Sequence, residues 1–214
     1  MTSSKAPAIW YFDVISPFAY LQTAHFPVLQ ARLAMTARPV LLAGLLHHWK
    51  QLGPAEIPPK RRQIYRACQW RAEQLGIQFR FPDAHPFNPL RALRLLTALD
   101  GGVEAARTAL TLVFGEGVRP DEEAGWALLC ERLGLAPAEA KEMASAPSAK
   151  QALREATEEA AQAGVFGVPT IAVGGELFWG EDATGMLLGF LDDPGLFRTE
   201  AMVRNDSLPI GVTR

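Results

Sequence analysis

Residues 9–21 of the chain read IWYFDVISPFAYL. The first part, residues 9–14, is almost wholly apolar and lacks strict alternation, which is typical of a strand buried on both faces. Ser16 and Pro17 end this strand and begin a helix, because serine favours the N-cap and proline suits the first helical position. The stretch therefore predicts a strand-to-helix turn that presents a hydroxyl group.

A second informative stretch lies near the C-terminus, where residues 164–171 read GVFGVPTI. A turn with a small polar residue, combined with a Val168-Pro169 loop that enters a strand, resembles the active-site arrangement of the thioredoxin fold, in which that proline is cis. Disulfide enzymes of this fold carry Cys-x-x-Cys at the turn, whereas Ser16 and Ala19 stand at those positions here. Dithiol exchange is excluded, because the turn has no cysteine to form a mixed disulfide.

Elsewhere, the hydrophobic periodicity predicts strands towards both ends of the sequence and helices between them. We expect a second strand at residues 39–42, followed by helical spacing from about residue 45 to residue 164. A hairpin is expected next, with strands at residues 170–173 and 176–179 around a Gly-Gly turn. A last helix is expected to begin at about Asp182.

This order of elements predicts an α/β fold with a thioredoxin-like sheet and a large all-helical insertion. The predicted thioredoxin-like domain comprises residues 1–44 and 164–198, and residues 45–163 form the inserted helical domain. Residues 199–214 are polar and are predicted to be a C-terminal tail, either loose or packed on another subunit.

The composition is that of an ordinary soluble enzyme. A formal net charge of -2 gives no reason to expect nucleic acid or an anionic membrane as a partner. No apolar run approaches the roughly 20 residues needed to cross a bilayer, and residues 1–5 lack an apolar signal segment. Cys68 and Cys130 are expected to be small buried side chains in a cytoplasmic protein.

The segment at residues 11–21 is similar to the opening of 2-hydroxychromene-2-carboxylate isomerases, relatives of kappa-class glutathione transferases in the DsbA-like branch of the thioredoxin fold. Four more segments resemble the same family: GPAEIPPKR at 53–61, PFNPL at 86–90, GVPT at 167–170 and FWGED at 178–182. The resemblance covers about residues 9–191. It implies a glutathione-dependent, dimeric isomerase that converts 2-hydroxychromene-2-carboxylate, an intermediate of aromatic breakdown, to trans-o-hydroxybenzylidenepyruvate without a metal.

Ser16 is the candidate catalytic residue of such an enzyme. A thiol like that of glutathione has a pKa of about 8.5 and is mostly protonated near neutrality. The Ser16 hydroxyl, the nearby backbone N–H groups and the helix dipole would stabilise the thiolate. The alternative is that Ser16 only caps the helix.

The resemblance also implies where glutathione, the cofactor, binds. Val168 and Pro169 would offer backbone groups that pair with its cysteinyl part like an added strand, or Pro169 only ends a loop. Lys60 would bind the glycyl carboxylate and Asp182 the γ-glutamyl ammonium, and Glu181 is a further candidate for binding the cofactor. Lys60 alternatively belongs to a solvated basic helix face, and Asp182 to a helix N-cap.

Asn88, Phe18 and Trp49 are the candidates for contact with an aromatic carboxylate substrate. Asn88 is equally a helix N-cap, and aromatic side chains at such positions usually belong to the core. No His, Cys or Asp grouping has metal-ligand spacing, and the pattern gives His25 and His85 no role. Two other functions stay open: a kappa-type glutathione transferase or peroxidase, and a non-catalytic DsbA-like protein that binds peptides.

Overall fold

The structure, a computed structural model, describes residues 5–100 and 102–212. Its strands are β1 (Ala6–Phe12), β2 (Leu33–Pro39), β3 (Thr170–Val173) and β4 (Glu176–Trp179). They form one mixed sheet in the order β2-β1-β3-β4. β1 and β2 are parallel, whereas β3 is antiparallel to both β1 and β4. This is the thioredoxin-like sheet that the sequence predicts.

Helices cover the sheet and fill the long connection between β2 and β3. They are α1 (Pro17–Gln22), α2 (Phe26–Arg32), α3 (Leu42–His48), α4 (Pro58–Leu75), α5 (Leu90–Ala98), α6 (Val103–Leu110), α7 (Glu123–Arg132), α8 (Pro137–Ser145), α9 (Pro147–Gln162), α10 (Thr184–Asp192) and α11 (Glu200–Asp206). α1 and α2 join β1 to β2, and α3 to α9 precede β3.

The predicted second strand at residues 39–42 is wrong. β2 ends at Pro39, and α3 already begins at Leu42. β2 lies at the edge of the sheet and alternates buried with exposed or half-buried residues. A search for an unbroken apolar run misses such a strand, because only one of its faces is buried. β1 likewise lies slightly earlier than residues 9–14, over Ala6–Phe12.

The predicted C-terminal hairpin is confirmed at both strands. β3 and β4 pair in antiparallel register, and Gly174 and Gly175 make the turn with φ of 61° and 88°. These left-handed values favour glycine. Pairing of β3 with β1 places Thr170 opposite Tyr11, near the end of β1. The loop that enters β3, which contains the cis Val168-Pro169 bond, therefore reaches the turn that follows β1.

One buried cluster joins the sheet to the helices that follow β2. Trp10 and Phe12 of β1 share it with Leu93, Phe114 and Trp126, all at most 1% exposed. The helical segment thus packs directly on the sheet. The limits of the inserted domain at residues 45 and 163 stay a prediction.

The remaining expectations concern the cysteines and the chain ends. Cys68 and Cys130 are buried and free, as expected. Burial raises the pKa of the Cys68 thiol to about 12, so it is not nucleophilic near neutrality.

α11 lies within the predicted tail, while residues 1–4, 101 and 213–214 lie outside the described part. In the described part, no helix has the length and apolar character needed to span a bilayer.

Gly125 of α7 packs tightly against the backbone. A Cβ at this position would overlap the backbone oxygen of Arg119, which cannot rotate away as a side chain can. We expect Gly125→Ala to lower the free energy of unfolding by roughly 1–3 kcal/mol. Gly185→Ala in α10 is the matched control, because its Cβ would meet nothing within 4 Å. Alanine there is expected to be neutral or to stabilise by up to about 1 kcal/mol. Urea denaturation distinguishes the two, and equal stability of Gly125→Ala and wild type would contradict the expectation.

Candidate active site

The turn between β1 and α1 holds Ser16 at the N-cap of α1, with Pro17 in the first helical turn, as the sequence predicts. The Ser16 Oγ accepts a hydrogen bond from the Ala19 N–H at 3.2 Å. The same hydroxyl donates to the backbone oxygen of Val168 at 3.3 Å. Ser16 is only 4% exposed. The two stretches that stand out in the sequence are therefore in direct contact.

The peptide group between Ile15 and Ser16 is held from both sides. The Ser16 N–H donates to the backbone oxygen of Asp13 at 3.0 Å. The Ile15 backbone oxygen accepts from His85 Nε2 at 2.7 Å, since a carbonyl oxygen can only accept. The Ile15 N–H in turn donates to Asp13 Oδ1 at 3.0 Å. Both Asp13 and His85 thus fix the backbone that enters Ser16.

Asp13 is fully buried beneath this turn. Its second carboxyl oxygen accepts from the Leu42 N–H at 2.8 Å, so that one side chain joins the Ser16 turn to the start of α3. Burial raises the pKa of Asp13 to about 7, although the hydrogen bonds from the Leu42 and Ile15 amides oppose the shift. Near neutral pH both protonation states of Asp13 are populated.

His85 is held by Tyr65 as well as by the Ser16 turn. Its Nδ1 lies 2.6 Å from the Tyr65 hydroxyl, which is also 2.8 Å from the His85 backbone oxygen. Because Nε2 donates to Ile15, the neutral ring has Nδ1 as an acceptor for the Tyr65 hydroxyl. Burial lowers the pKa of His85, against a smaller opposing effect of the bond to Ile15. The neutral ring therefore dominates at pH 7.

Glu181, two residues after the end of β4, is the buried centre of an ionic cluster and is 3% exposed. It accepts from Arg71 Nε and Nη2 at 2.9 and 3.0 Å, and contacts His25 Nε2 at 2.6 Å. Burial alone would raise the pKa of Glu181, but the hydrogen bonds from His25 and Arg71 outweigh it and hold that pKa at about 2. Both oxygens are occupied inside the protein. The assignment of Glu181 to glutathione binding stays a prediction, and a ligand there would have to share these oxygens with His25 and Arg71.

Lys60 and Asp182, the candidates for the charged ends of glutathione, are both exposed. Asp182 does not cap α10, whose N-cap is Ala183, so the capping alternative is wrong. Asp182 lies close enough to Arg71 to raise its pKa further, after the larger effect of Glu181. Lys60 precedes Arg71 on α4 by 71 − 60 = 11 residues, or about 16 Å along the axis. The two opposite charges therefore lie towards different ends of α4.

Of the substrate candidates, Trp49 contacts the segment that leads to Val168. It is 40% exposed, and its indole N–H donates to the backbone oxygen of Val165 at 2.9 Å. Phe18 is half-buried and packs with the cluster of Leu21 and its neighbours between α1 and α4. The structure thus places these two aromatic side chains on different parts of the site.

Asn88 is exposed near the start of α5. Its Oδ1 accepts from the Leu90 N–H at 3.1 Å, but the N-cap of α5 is Pro89, so the N-cap alternative is wrong. It follows His85, which bonds to the Ser16 turn, by three residues in the sequence. Asn88 stays a candidate for substrate contact, with its amide nitrogen as the group available for it.

Sequence reasoning missed Asp13, His85, Tyr65 and Arg71 as parts of this site. Only Asp13 carried a local signal, because a carboxylate at the end of an apolar strand needs partners when it is buried. His85 meets Ile15 across 70 residues, and Arg71 meets Glu181 across 110. No periodicity reveals contacts of that separation. Within residues 5–100 and 102–212, no group of three or more His, Cys, Asp or Glu side chains could hold a metal ion.

Comparison with known proteins agrees with this geometry. A family model described as a DSBA-like thioredoxin domain matches residues 9–192. The chain is 30% identical over 187 residues to a 2-hydroxychromene-2-carboxylate isomerase of Pseudomonas putida, covering 83% of this chain and 90% of that protein. A solved 2-hydroxychromene-2-carboxylate isomerase is similar with a TM-score of 0.74 and 28% identity, covering 91% of this chain and 100% of the other. Glutathione S-transferase kappa 2 of Caenorhabditis elegans is 33% identical over 78 residues, 34% of either chain.

The mixed sheet, the Ser16 turn and the adjoining Val168-Pro169 loop define a DsbA-like protein of the thioredoxin fold. Its turn lacks the cysteines of the disulfide enzymes. Within that class, the chain belongs to the 2-hydroxychromene-2-carboxylate isomerase family. These relatives support an enzyme of the isomerase type.

Proposed function

We propose that this protein is a cytoplasmic, homodimeric, glutathione-dependent cis-trans isomerase that converts 2-hydroxychromene-2-carboxylate to trans-o-hydroxybenzylidenepyruvate. The observation that carries the proposal is the contact of the Ser16 hydroxyl with the Val168 backbone oxygen at 3.3 Å. It places a hydroxyl donor beside backbone groups with which a peptide cofactor can pair. The isomerase relatives support the reaction type.

Ser16 and Val168 would exchange hydrogen-bond partners when glutathione binds. An N–H group of the cofactor would donate to the Val168 oxygen that the Ser16 hydroxyl occupies at present. The hydroxyl would then donate to the sulfur, while Oγ keeps its bond from the Ala19 N–H. A hydrogen bond to a charged group contributes about 1.5–3 kcal/mol, which corresponds to roughly one to two pKa units. Because α1 has only 6 residues, the hydroxyl is the main source of this stabilisation.

Glutathione, when bound, would supply a thiolate whose reversible addition turns one double bond of the conjugated substrate into a single bond, about which rotation is possible. The protein's own contribution is orientation and charge. Lys60 would bind the glycyl carboxylate and Asp182 the γ-glutamyl ammonium. Trp49, Phe18 and Asn88 would contact the substrate.

A kappa-type glutathione transferase is the second candidate function. The partial similarity to glutathione S-transferase kappa 2 favours it, and such an enzyme would use the same Ser16 and Val168 groups. The two functions differ in the fate of the thiol, which a transferase consumes and an isomerase regenerates. Measuring free thiol during turnover separates them: a constant concentration supports the isomerase, and loss of one thiol per turnover supports the transferase.

The direct test of the proposal is calorimetric titration of the protein with reduced glutathione, followed by an isomerisation assay. Saturable binding and glutathione-dependent formation of the trans isomer are expected. S-methylglutathione is the matched control, because it can occupy the same groups but cannot form a thiolate. Absence of glutathione binding would overturn the proposal, and so would equal activity with the methylated form.

Lys60→Gln is expected to weaken glutathione binding by about 1.4- to 5-fold, because an exposed ion pair contributes roughly 0.2–1 kcal/mol and rarely more. The effect should shrink with added salt, since the charges are exposed to solvent. Lys141→Gln, at an exposed position on α8, is the control for loss of one positive charge. Calorimetry at low and high salt measures both variants, and equal affinities of Lys60→Gln and Lys141→Gln would contradict the role of Lys60.

A further inference from the structure

We propose that His85 is a positioning residue that sets the location of the Ser16 hydroxyl through the Ile15–Ser16 peptide group. This inference rests on the proposed function for its catalytic readout, but its structural part does not depend on glutathione. His85 donates from Nε2 to the Ile15 oxygen at 2.7 Å. That oxygen belongs to the peptide bond whose N–H is the Ser16 amide, so a shift of the one group moves the other.

The ring of His85 is itself held in one orientation. Tyr65 lies 2.6 Å from Nδ1, opposite the nitrogen that donates to Ile15. Aromatic rings contact the imidazole at centroid distances between 5.3 and 6.3 Å; they belong to Tyr65, Phe81, Phe87 and Phe114. An imidazole fixed by packing and by a second hydrogen bond is a rigid donor, which is what positioning requires.

The bond to Ile15 persists in either protonation state of His85. In the neutral ring, Nε2–H donates to Ile15 and the Tyr65 hydroxyl donates to Nδ1. When the ring is protonated, Nδ1–H would donate to Tyr65, whose own hydroxyl proton would turn to the His85 backbone oxygen at 2.8 Å. Only the Tyr65 proton is redirected, so Ser16 keeps its position.

His85 acts together with Asp13, which holds the same short segment from its other side. Asp13 accepts from the Ile15 N–H and, through its backbone oxygen, from the Ser16 N–H, each at 3.0 Å. Asp13 is buried on the protein side of the turn, and without His85 the Ile15 oxygen would lose its donor. The segment could then rotate about Asp13. A displacement of a reacting group by about 1 Å can lower a rate by about 100-fold.

The test compares His85→Gln, whose amide nitrogen can replace Nε2 as a donor, with His85→Leu, which has no donor. We expect His85→Leu to lower the isomerisation kcat by about 10- to 100-fold and to reduce the thiolate absorbance of bound glutathione, with glutathione affinity within about threefold of wild type. His85→Gln should recover most of both signals. Tyr65→Phe removes only the hydroxyl behind the ring and is expected to give an intermediate effect.

Wild-type levels of kcat and thiolate absorbance in a folded His85→Leu would overturn the inference. If His85→Leu folds, an equal loss in His85→Gln and His85→Leu would overturn the inference. If His85→Leu does not fold, Tyr65→Phe and His85→Gln decide: a loss in Tyr65→Phe with near-wild-type signals in His85→Gln supports the inference, and wild-type signals in Tyr65→Phe or a full loss in His85→Gln overturn it. Failure of the proposed function is recognised separately, as absence of glutathione binding to wild type. In that case amide hydrogen exchange at residues 15–20 decides: faster exchange in His85→Leu than in His85→Gln supports the inference, and equal exchange overturns it.

Discussion

Replacing Ser16 with alanine is expected to lower the isomerisation kcat by about 100-fold, because removal of a donor aimed at developing charge typically costs two to three orders of magnitude. Glutathione affinity should change little, since Lys60, Asp182 and the Val168 backbone do not depend on the hydroxyl. The ultraviolet absorbance of the bound thiolate should fall with kcat. Steady-state assays at saturating glutathione measure the first effect and difference spectra the second.

The helix cap complicates this prediction, because the Ser16 Oγ also accepts from the Ala19 N–H. Loss of an N-cap serine costs about 1 kcal/mol with alanine but only a few tenths with glycine. Ser16→Gly is therefore the matched control: it lacks the hydroxyl but should be more stable than Ser16→Ala. Equal losses of kcat in the two variants would assign the effect to the hydroxyl. Recovery of activity in Ser16→Gly would mean that Ser16 serves only as a cap.

Glu181→Gln is expected to have the largest effect on stability. The substitution leaves Arg71 and His25 without their carboxylate in a site where Glu181 is 3% exposed. Because Arg71 and His25 are 38% and 23% exposed, their charges stay partly solvated, so the expected cost is about 2–3 kcal/mol, or a fall in Tm of roughly 4–12 °C for a chain of this size. Asp192→Asn is the control, because its pair with Arg32 is exposed and should contribute less than about 1 kcal/mol. Thermal unfolding at pH 7 compares them, and equal shifts would refute a special role of the buried cluster.

The pH dependence of stability provides a second test of Glu181. Its pKa of about 2 in the folded protein lies below the ordinary value of 4.5. The unfolded chain therefore binds more protons between these values, and the stabilisation by Glu181 is lost as pH falls from 4.5 towards 2. The difference in stability between wild type and Glu181→Gln should shrink over this range.

The contribution of Asp13 to stability changes with pH in the opposite direction and over a different pH range. Its pKa is raised from 3.8 to about 7, so the folded state binds more protons between these values. Stability from this group is present below pH 3.8 and is lost as pH rises through 7. Below pH 3.8 the contribution of Asp13 changes little with pH, so it does not obscure the loss of stabilisation by Glu181.

Local chemistry explains which parts of this structure the sequence predicts. The Ser16 cap and the Gly174-Gly175 hairpin depend on residue types that favour one backbone conformation, and both are found where the pattern placed them. β2 was misplaced because it is an edge strand with mixed composition. Its position is decided by pairing with β1, which is a tertiary effect.

The residues of the candidate site also fall into two groups, those that the sequence identifies and those that it does not. Ser16 and Val168 could be identified because each lies in a motif, and their contact follows from the fold. The supporting residues could not be identified: His85 bonds to Ile15 and Arg71 to Glu181, both far along the chain, and the residues next to them in sequence give no indication of these contacts. The supporting residues of a site are selected by three-dimensional packing, so they become visible only once the fold is known.

The buried cluster that unites Trp10 and Phe12 with Leu93, Phe114 and Trp126 also limits how this protein can be engineered or can diverge. Grafting the helical segment of one family member onto the sheet of another would replace half of a single interior and leave mismatched surfaces. Chimeras should therefore fail to express unless both halves are exchanged together. Under the proposed function, new substrate preferences are more accessible by changing the exposed side chains of Trp49 and Asn88, which leaves the shared interior intact.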